Sequence, residues 1–126
     1  MDADQKKTLR AILFRHLDGI AIAPTVSALH KSGMCDHFLE NPNFKFTEIS
    51  SKFNTNDGYL NVALRLLASQ GWLEREILID GKEINFSLTE KGHSMMRFSS
   101  EYTSFSKQIP SLIKMDEHLF HRKSEP

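Results

Sequence analysis

The stretch NDGYLNVALRLLASQGWLEREILIDGKEINFSL, residues 56–88, changes its hydrophobic period once, and that change decides the fold. From Tyr59 onward Leu60, Ala63, Leu64 and Leu67 recur at helical spacing, with Val62 and Leu66 widening the stripe. Gly71 closes this helix, because glycine accepts the left-handed conformation that ends one. Beyond it the period is two: Leu73, Arg75 and Ile77 alternate with Trp72, Glu74 and Glu76, and Ile84, Phe86 and Leu88 follow Asp80-Gly81. Asp-Gly between alternating runs predicts a β-hairpin over residues 72–88, closed by a type I′ turn.

Working outward, Thr47 and Ser50 open a short helix carrying Ile49 and Phe53, and residues 54–58 turn the chain into the longer helix over 56–70. Short helix, turn, longer helix and hairpin is the order of a winged helix-turn-helix. Upstream, Leu9, Ile12, Leu13, Leu17 and Ile20 form one helical stripe. Gly19 and Pro24 interrupt it, so residues 25–31 are expected as a separate segment stopping at Gly33. Residues 35–39 form a short amphipathic turn, and Asn41-Pro42-Asn43 a loop. Downstream, Thr89 is placed to cap a helix with Gly92 in its first turns. Phe98, Tyr102, Phe105, Ile109 and Leu112 continue at helical spacing, and Pro110 is expected to kink or divide that stripe, while residues 121–126 are polar and expected to fray. The predicted class is α+β, mainly α: a winged helix-turn-helix with additional N- and C-terminal amphipathic helices. Residues 1–126 read as a single domain, with a core over about 25–92 and flanking helices over about 5–20 and 90–120.

Composition narrows the function. Sixteen basic residues balance sixteen acidic ones, which removes the simplest electrostatic case for a nucleic-acid or anionic-membrane partner. The longest uninterrupted apolar runs fall far short of the roughly 20 residues of a membrane span, so no membrane contact is expected. No secretory signal is recognisable, and a single cysteine, Cys35, excludes an internal disulfide framework, so the cytoplasm is the expected compartment. No two of the six glycines are close enough to form the G-x-G turn of a nucleotide cradle. Catalysis by this chain alone has no support, and neither a cofactor nor a metal is expected.

A DNA reader needs bases on its second helix and wing. The candidates are Asn56, Asn61 and Arg65 on the helix with Arg75 and Lys82 on the wing, but residues 45–92 hold six basic residues against seven acidic ones. That balance argues against nucleic acid and for a solvated face. His118 and His121 alone among the histidines can share one helix face, and without a carboxylate or cysteine at ligand spacing they read as tail. Cys35 near His37 suggests a nucleophile and base, yet residues two apart on a helix point away from each other, so Cys35 reads as a small buried residue beside Phe38. The Phe98–Leu112 aromatics can line a ligand cavity, although such stripes are more often core or interface.

Residues 28–36 (ALHKSGMCD), 46–49 (FTEI), 64–73 (LRLLASQGWL) and 86–92 (FSLTEKG) together resemble the N-terminal winged-helix domain of class I S-adenosylmethionine-dependent methyltransferases. Residues 57–72 look closer still to such domains in bacterial polyketide synthase and hybrid assembly lines, where they precede methyltransferase or loading domains. The aromatic stretch over 98–112 is similar to the helical linker to the catalytic domain. The resemblance implies an intertwined dimer or a lid, with S-adenosylmethionine bound by a downstream domain. That domain's glycine-rich loop is not among these residues, so no catalytic or cofactor-binding residue carries over.

The expected function is therefore a non-catalytic adaptor or dimerisation module, partnering a catalytic domain, a carrier protein or a second copy. Leu9, Ile12, Leu13, Leu17, Phe98, Tyr102, Phe105, Ile109 and Leu112 form the expected interface. Burying five large side chains of this kind contributes about 5–10 kcal/mol before association costs. The alternative is a winged-helix transcriptional regulator.

Overall fold

Asp2 starts the first helix by a reciprocal cap, its carboxylate accepting from the Gln5 N–H while the Gln5 side chain accepts from the Asp2 N–H. The computed structural model, which describes residues 1–78 and 81–120, carries this helix, α1, unbroken over Ala3–Lys31. The expected division at Gly19 and Pro24 does not occur. Pro24 lies inside the helix, where the missing N–H and ring clash cost about 3 kcal/mol. Packing beyond it offsets that cost: Val26, Ser27 and Leu29 are buried, Ser27 Oγ lies 3.3 Å from Thr103 Oγ1, and His30 Nδ1 lies 2.8 Å from Ser99 Oγ. Read as one helix, α1 contains an 18-residue window of mean hydropathy 1.3, long and apolar enough to cross a bilayer by length and composition. Arg15, His16 and Asp18 interrupt that window, so its uninterrupted apolar runs are short. Only 17% of the window is buried, and the helix ends inside the core.

Gly33, at φ 85°, turns the chain into α2 (Met34–Glu40), whose Met34, Cys35 and Phe38 are buried. The expected loop at 41–43 in part forms a strand instead, β1 (Asn43–Lys45), followed by α3 (Phe46–Phe53) and α4 (Asp57–Ser69). Asn56 caps α4 by accepting from the Tyr59 N–H, and Gly71, at φ 81°, ends that run. The hairpin forms as expected from β2 (Leu73–Leu78) and β3 (Glu83–Leu88), paired from Leu73↔Leu88 to Leu78↔Glu83. The expected type I′ turn includes Asp80, which lies outside the described residues. β1 joins antiparallel on the free side of β3, giving the order β1-β3-β2.

The C-terminal stripe is divided into α5 (Glu90–Arg97), α6 (Ser99–Ser106), α7 (Ile109–Ile113) and α8 (Met115–Phe120), with Pro110 in the first turn of α7. Thr89 caps α5 as expected, its Oγ1 accepting from the Gly92 N–H at 2.9 Å. Residues 121–126, expected to fray, lie outside the described residues. The core is one cluster in which Phe38, Phe44 and Phe86 stack in sequence, at centroid distances of 4.4 and 5.4 Å, and which includes Ile49, Leu60, Leu64 and Leu67. Helices α3 and α4 with the three-stranded sheet make a winged helix, flanked by α1 on one side of the chain's order and by α5–α8 on the other.

Candidate interaction surfaces

Two surfaces follow from this arrangement. The first is the helix-turn-helix and its wing. Lys45, which precedes α3, gives no side-chain cap, and the wing supplies one: Glu83 accepts from Thr47 Oγ1 at 2.8 Å and from the Thr47 N–H at 3.4 Å. The Thr47 hydroxyl, more than any other neighbour, holds the Glu83 carboxyl below its ordinary value of 4.5; the N–H groups of Thr47 and Ile84 and the charge of Lys45 act in the same direction. At the start of α4 the Asp57 carboxylate accepts from the hydroxyls of Ser50 and Thr55. Both helix N-termini, the places where a winged helix offers N–H groups to phosphate, thus already hold a carboxylate.

Glu83 also sets a pH dependence. Its depressed native value stabilises the wing above pH 4.5, the ordinary carboxyl value, and this stabilisation fades as pH falls through the native value. Melting temperatures of the wild type and Glu83→Gln are therefore expected to differ at neutral pH and to converge under acid. Parallel curves across the whole range would mean that the Thr47 contact contributes nothing.

Of the candidate DNA contacts, Arg65, Arg75 and Lys82 are exposed, Asn61 is half-buried beside the wing, and Asn56 is committed to its cap. The outward face of α4 also carries two large apolar side chains, with Tyr59 79% and Val62 64% exposed. Val62 was expected to widen the buried stripe. It falls on the opposite side, one hundred degrees per residue having carried it past the core.

The second surface is made by the terminal helices. Leu9, Leu13 and Leu17 on α1 and Phe105 and Leu112 on α6–α7 are each about half exposed or more, and Ile12 and Ile109 are half-buried. Phe98 is exposed as well, on the break between α5 and α6. Tyr102 departs from the expected interface. It turns inward and meets Trp72 edge-on at 6.1 Å, and this burial raises its phenol above the usual range. The break at Phe98 rotates α6, so a stripe that is continuous in sequence is split between core and surface. Ile20, on the expected stripe of α1, is exposed as well, whereas sequence reasoning missed Phe14 and Ile113, which extend the exposed apolar face. The signal was present in their hydrophobicity but lay off the chosen stripe.

Cys35 sits fully buried, and its burial pushes the thiol up to about 11, against the hydroxyl of Ser99, which lowers it, so it is a protonated core residue at neutral pH. His37 packs edge-on against Phe53 rather than serving Cys35. Among the described residues no three His, Cys, Asp or Glu side chains gather as a metal site, and His121 lies outside those residues.

The fold invites comparison with known proteins. No curated protein matches the chain by sequence. Among solved structures it is similar to the overoxidized AbfR bound to DNA, at 18% identity over 95% of this chain and 100% of that one, with a TM-score of 0.48. It is also similar to Sco3205, a MarR family transcriptional regulator from Streptomyces coelicolor in complex with DNA, at 14% identity over 100% and 94% of the two chains, with a TM-score of 0.45. A third is the YusO protein from Bacillus subtilis, at 17% identity over 94% and 91%, with a TM-score of 0.48. The model of the AprA N-terminal domain matches residues 9–75, just over half of this sequence, and the chain belongs to that family.

Proposed function

We propose that this chain is a non-catalytic winged-helix module that works by protein contact, its terminal helices packing on a second copy or on the methyltransferase, loading domain or carrier protein of a polyketide-type assembly line. The observation that carries the reading is the apolar face of α1 and α6–α8. Leu13, Phe14 and Ile20 on α1 and Phe105, Ile113 and Phe120 on the C-terminal helices are each more than half exposed. Side chains of this kind carry roughly 150–250 Å² each for the aromatics, and a contiguous apolar patch above a few hundred Å² is rare on a monomer. A face of that size marks an interaction site. Membership of the AprA N-terminal domain family and the resemblance to methyltransferase N-terminal domains support the biosynthetic setting. The free, buried Cys35 fits a reducing compartment such as the cytoplasm.

The second reading is a DNA-binding regulator, favoured by the exposure of Arg65, Arg75 and Lys82 around α4. The carboxylates at the starts of α3 and α4 oppose it. One experiment with two arms separates the readings. Light scattering should show a mass above one chain for the wild type, and a return towards 14.5 kDa on Phe105→Asp. An unchanged mass would make Phe105 an ordinary surface residue. In the second arm, mixed-sequence duplex DNA is titrated at low salt and then as salt rises. Weak or absent binding is expected, whereas micromolar binding that falls steeply with salt gives the regulator reading the lead.

A further inference from the structure

We propose that the trough between α1 and α6–α7 binds a small molecule with an apolar chain or aryl body and a hydrogen-bond-accepting head, such as a carboxylate or an acyl thioester carbonyl. The cavity measures about 700 Å³, within the 300–1,000 Å³ typical of small-molecule sites. Its floor is made by Gly19 and Ala23 on α1, and its walls by Ile20, Phe105 and Ile109. His16 and Gln108 are the polar groups at the site, one from each side. No carboxylate lines it, and neighbouring Asp18 is engaged elsewhere, accepting from Gln70 Nε2 at 3.4 Å. This is the composition of a ligand pocket: apolar walls that hold a body and a few donors that fix a head.

Gly19 supplies the independent observation. Glycine is a costly residue in the interior of a 29-residue helix. Its backbone is not left-handed, and a Cβ built on it would meet nothing within 4 Å, so neither conformation nor close packing requires it. Without a side chain at Gly19, the α1 side of the trough is open.

Titration calorimetry on the full chain tests this, with octanoate in one arm and the octanoyl thioester of N-acetylcysteamine in the other, so that a free acid and a thioester-borne acyl group are told apart. Saturable one-to-one binding of at least one probe below about 1 mM is expected. Gly19→Leu should weaken it about tenfold or more by filling the floor, without lowering the melting temperature, because the position is open and leucine favours helix. His16→Ala should weaken the preferred probe about fivefold by removing a donor. Absence of saturable binding of either probe, or equal binding by Gly19→Leu, overturns the proposal. So does a wild-type dimer that Gly19→Leu converts to monomer while neither probe binds, since the trough then receives a second copy. The Phe105→Asp mass measurement is read separately, so failure here leaves the interaction reading standing.

Discussion

Replacing Gly92 by alanine is expected to destabilise the protein by about 3 kcal/mol or more. Gly92 is buried in the first turns of α5, where that helix lies on the backbone at the start of β2. A Cβ there would stand 2.0 Å from the Trp72 carbonyl oxygen and 2.8 Å from its carbonyl carbon. The same oxygen accepts from the Thr89 N–H at 3.0 Å, and Thr89 Oγ1 donates to the Gly71 oxygen at 2.6 Å, so neither side can retreat without breaking the cap of α5. A flexible side chain could swing away, but a backbone carbonyl held in a hydrogen bond cannot. Thermal unfolding followed by circular dichroism should show a fall of roughly 10 °C or more for a chain of this size. Gly19→Ala is the internal control, since its Cβ meets open space and alanine favours helix by about 1 kcal/mol, so its melting temperature should rise. Equal melting temperatures for the two variants would show that α5 does not lie against Trp72 as described.

The other large effect is expected at Phe44. It is 2% exposed and stacks between Phe38 at 4.4 Å and Phe86 at 5.4 Å, so Phe44→Ala removes a ring from the middle of the core and leaves both neighbours facing a cavity. Such truncations cost about 3–5 kcal/mol. Phe44 is also the centre of the three-residue strand β1, whose other two positions are exposed, so its loss should detach β1 from β3. Urea unfolding should show a lower midpoint, and the amides of residues 43–45 should exchange faster with solvent. Phe98→Ala, at a side chain 64% exposed, is expected to change the midpoint little. A Phe44→Ala protein within about 1 kcal/mol of the wild type would place β1 outside the cooperative unit.

β1 also shows where sequence reading stops. Asn43, Phe44 and Lys45 are too few to display alternation, and Pro42 marks the segment as loop. Only the open edge of β3 makes a strand of them, through Phe44↔Phe86 and a hydrogen bond from the Leu88 N–H to the Pro42 oxygen at 2.7 Å. The candidate surfaces divide the same way. The apolar stripe of α1 was legible because Leu9, Leu13 and Leu17 keep helical spacing whatever covers them. The Glu83–Thr47 contact was not, since it joins residues 36 apart through a sheet register that no local pattern states.

What the sequence determined by itself was the order of elements in the winged helix: the helix over Leu60, Leu64 and Leu67, its stop at Gly71, the hairpin and the Thr89 cap. Each rests on interactions within a few residues, on hydrophobic period, a left-handed glycine or a hydroxyl beside a free N–H. What only the tertiary structure decided was which way the terminal segments run and face. Pro24 stays inside one helix because residues on its far side are buried against α2 and α6, while Tyr102 turns to Trp72 and Phe105 to solvent because α6 restarts at Ser99. Those outcomes depend on free-energy differences between packed arrangements of distant residues, which exceed the local preferences of proline and of helical spacing.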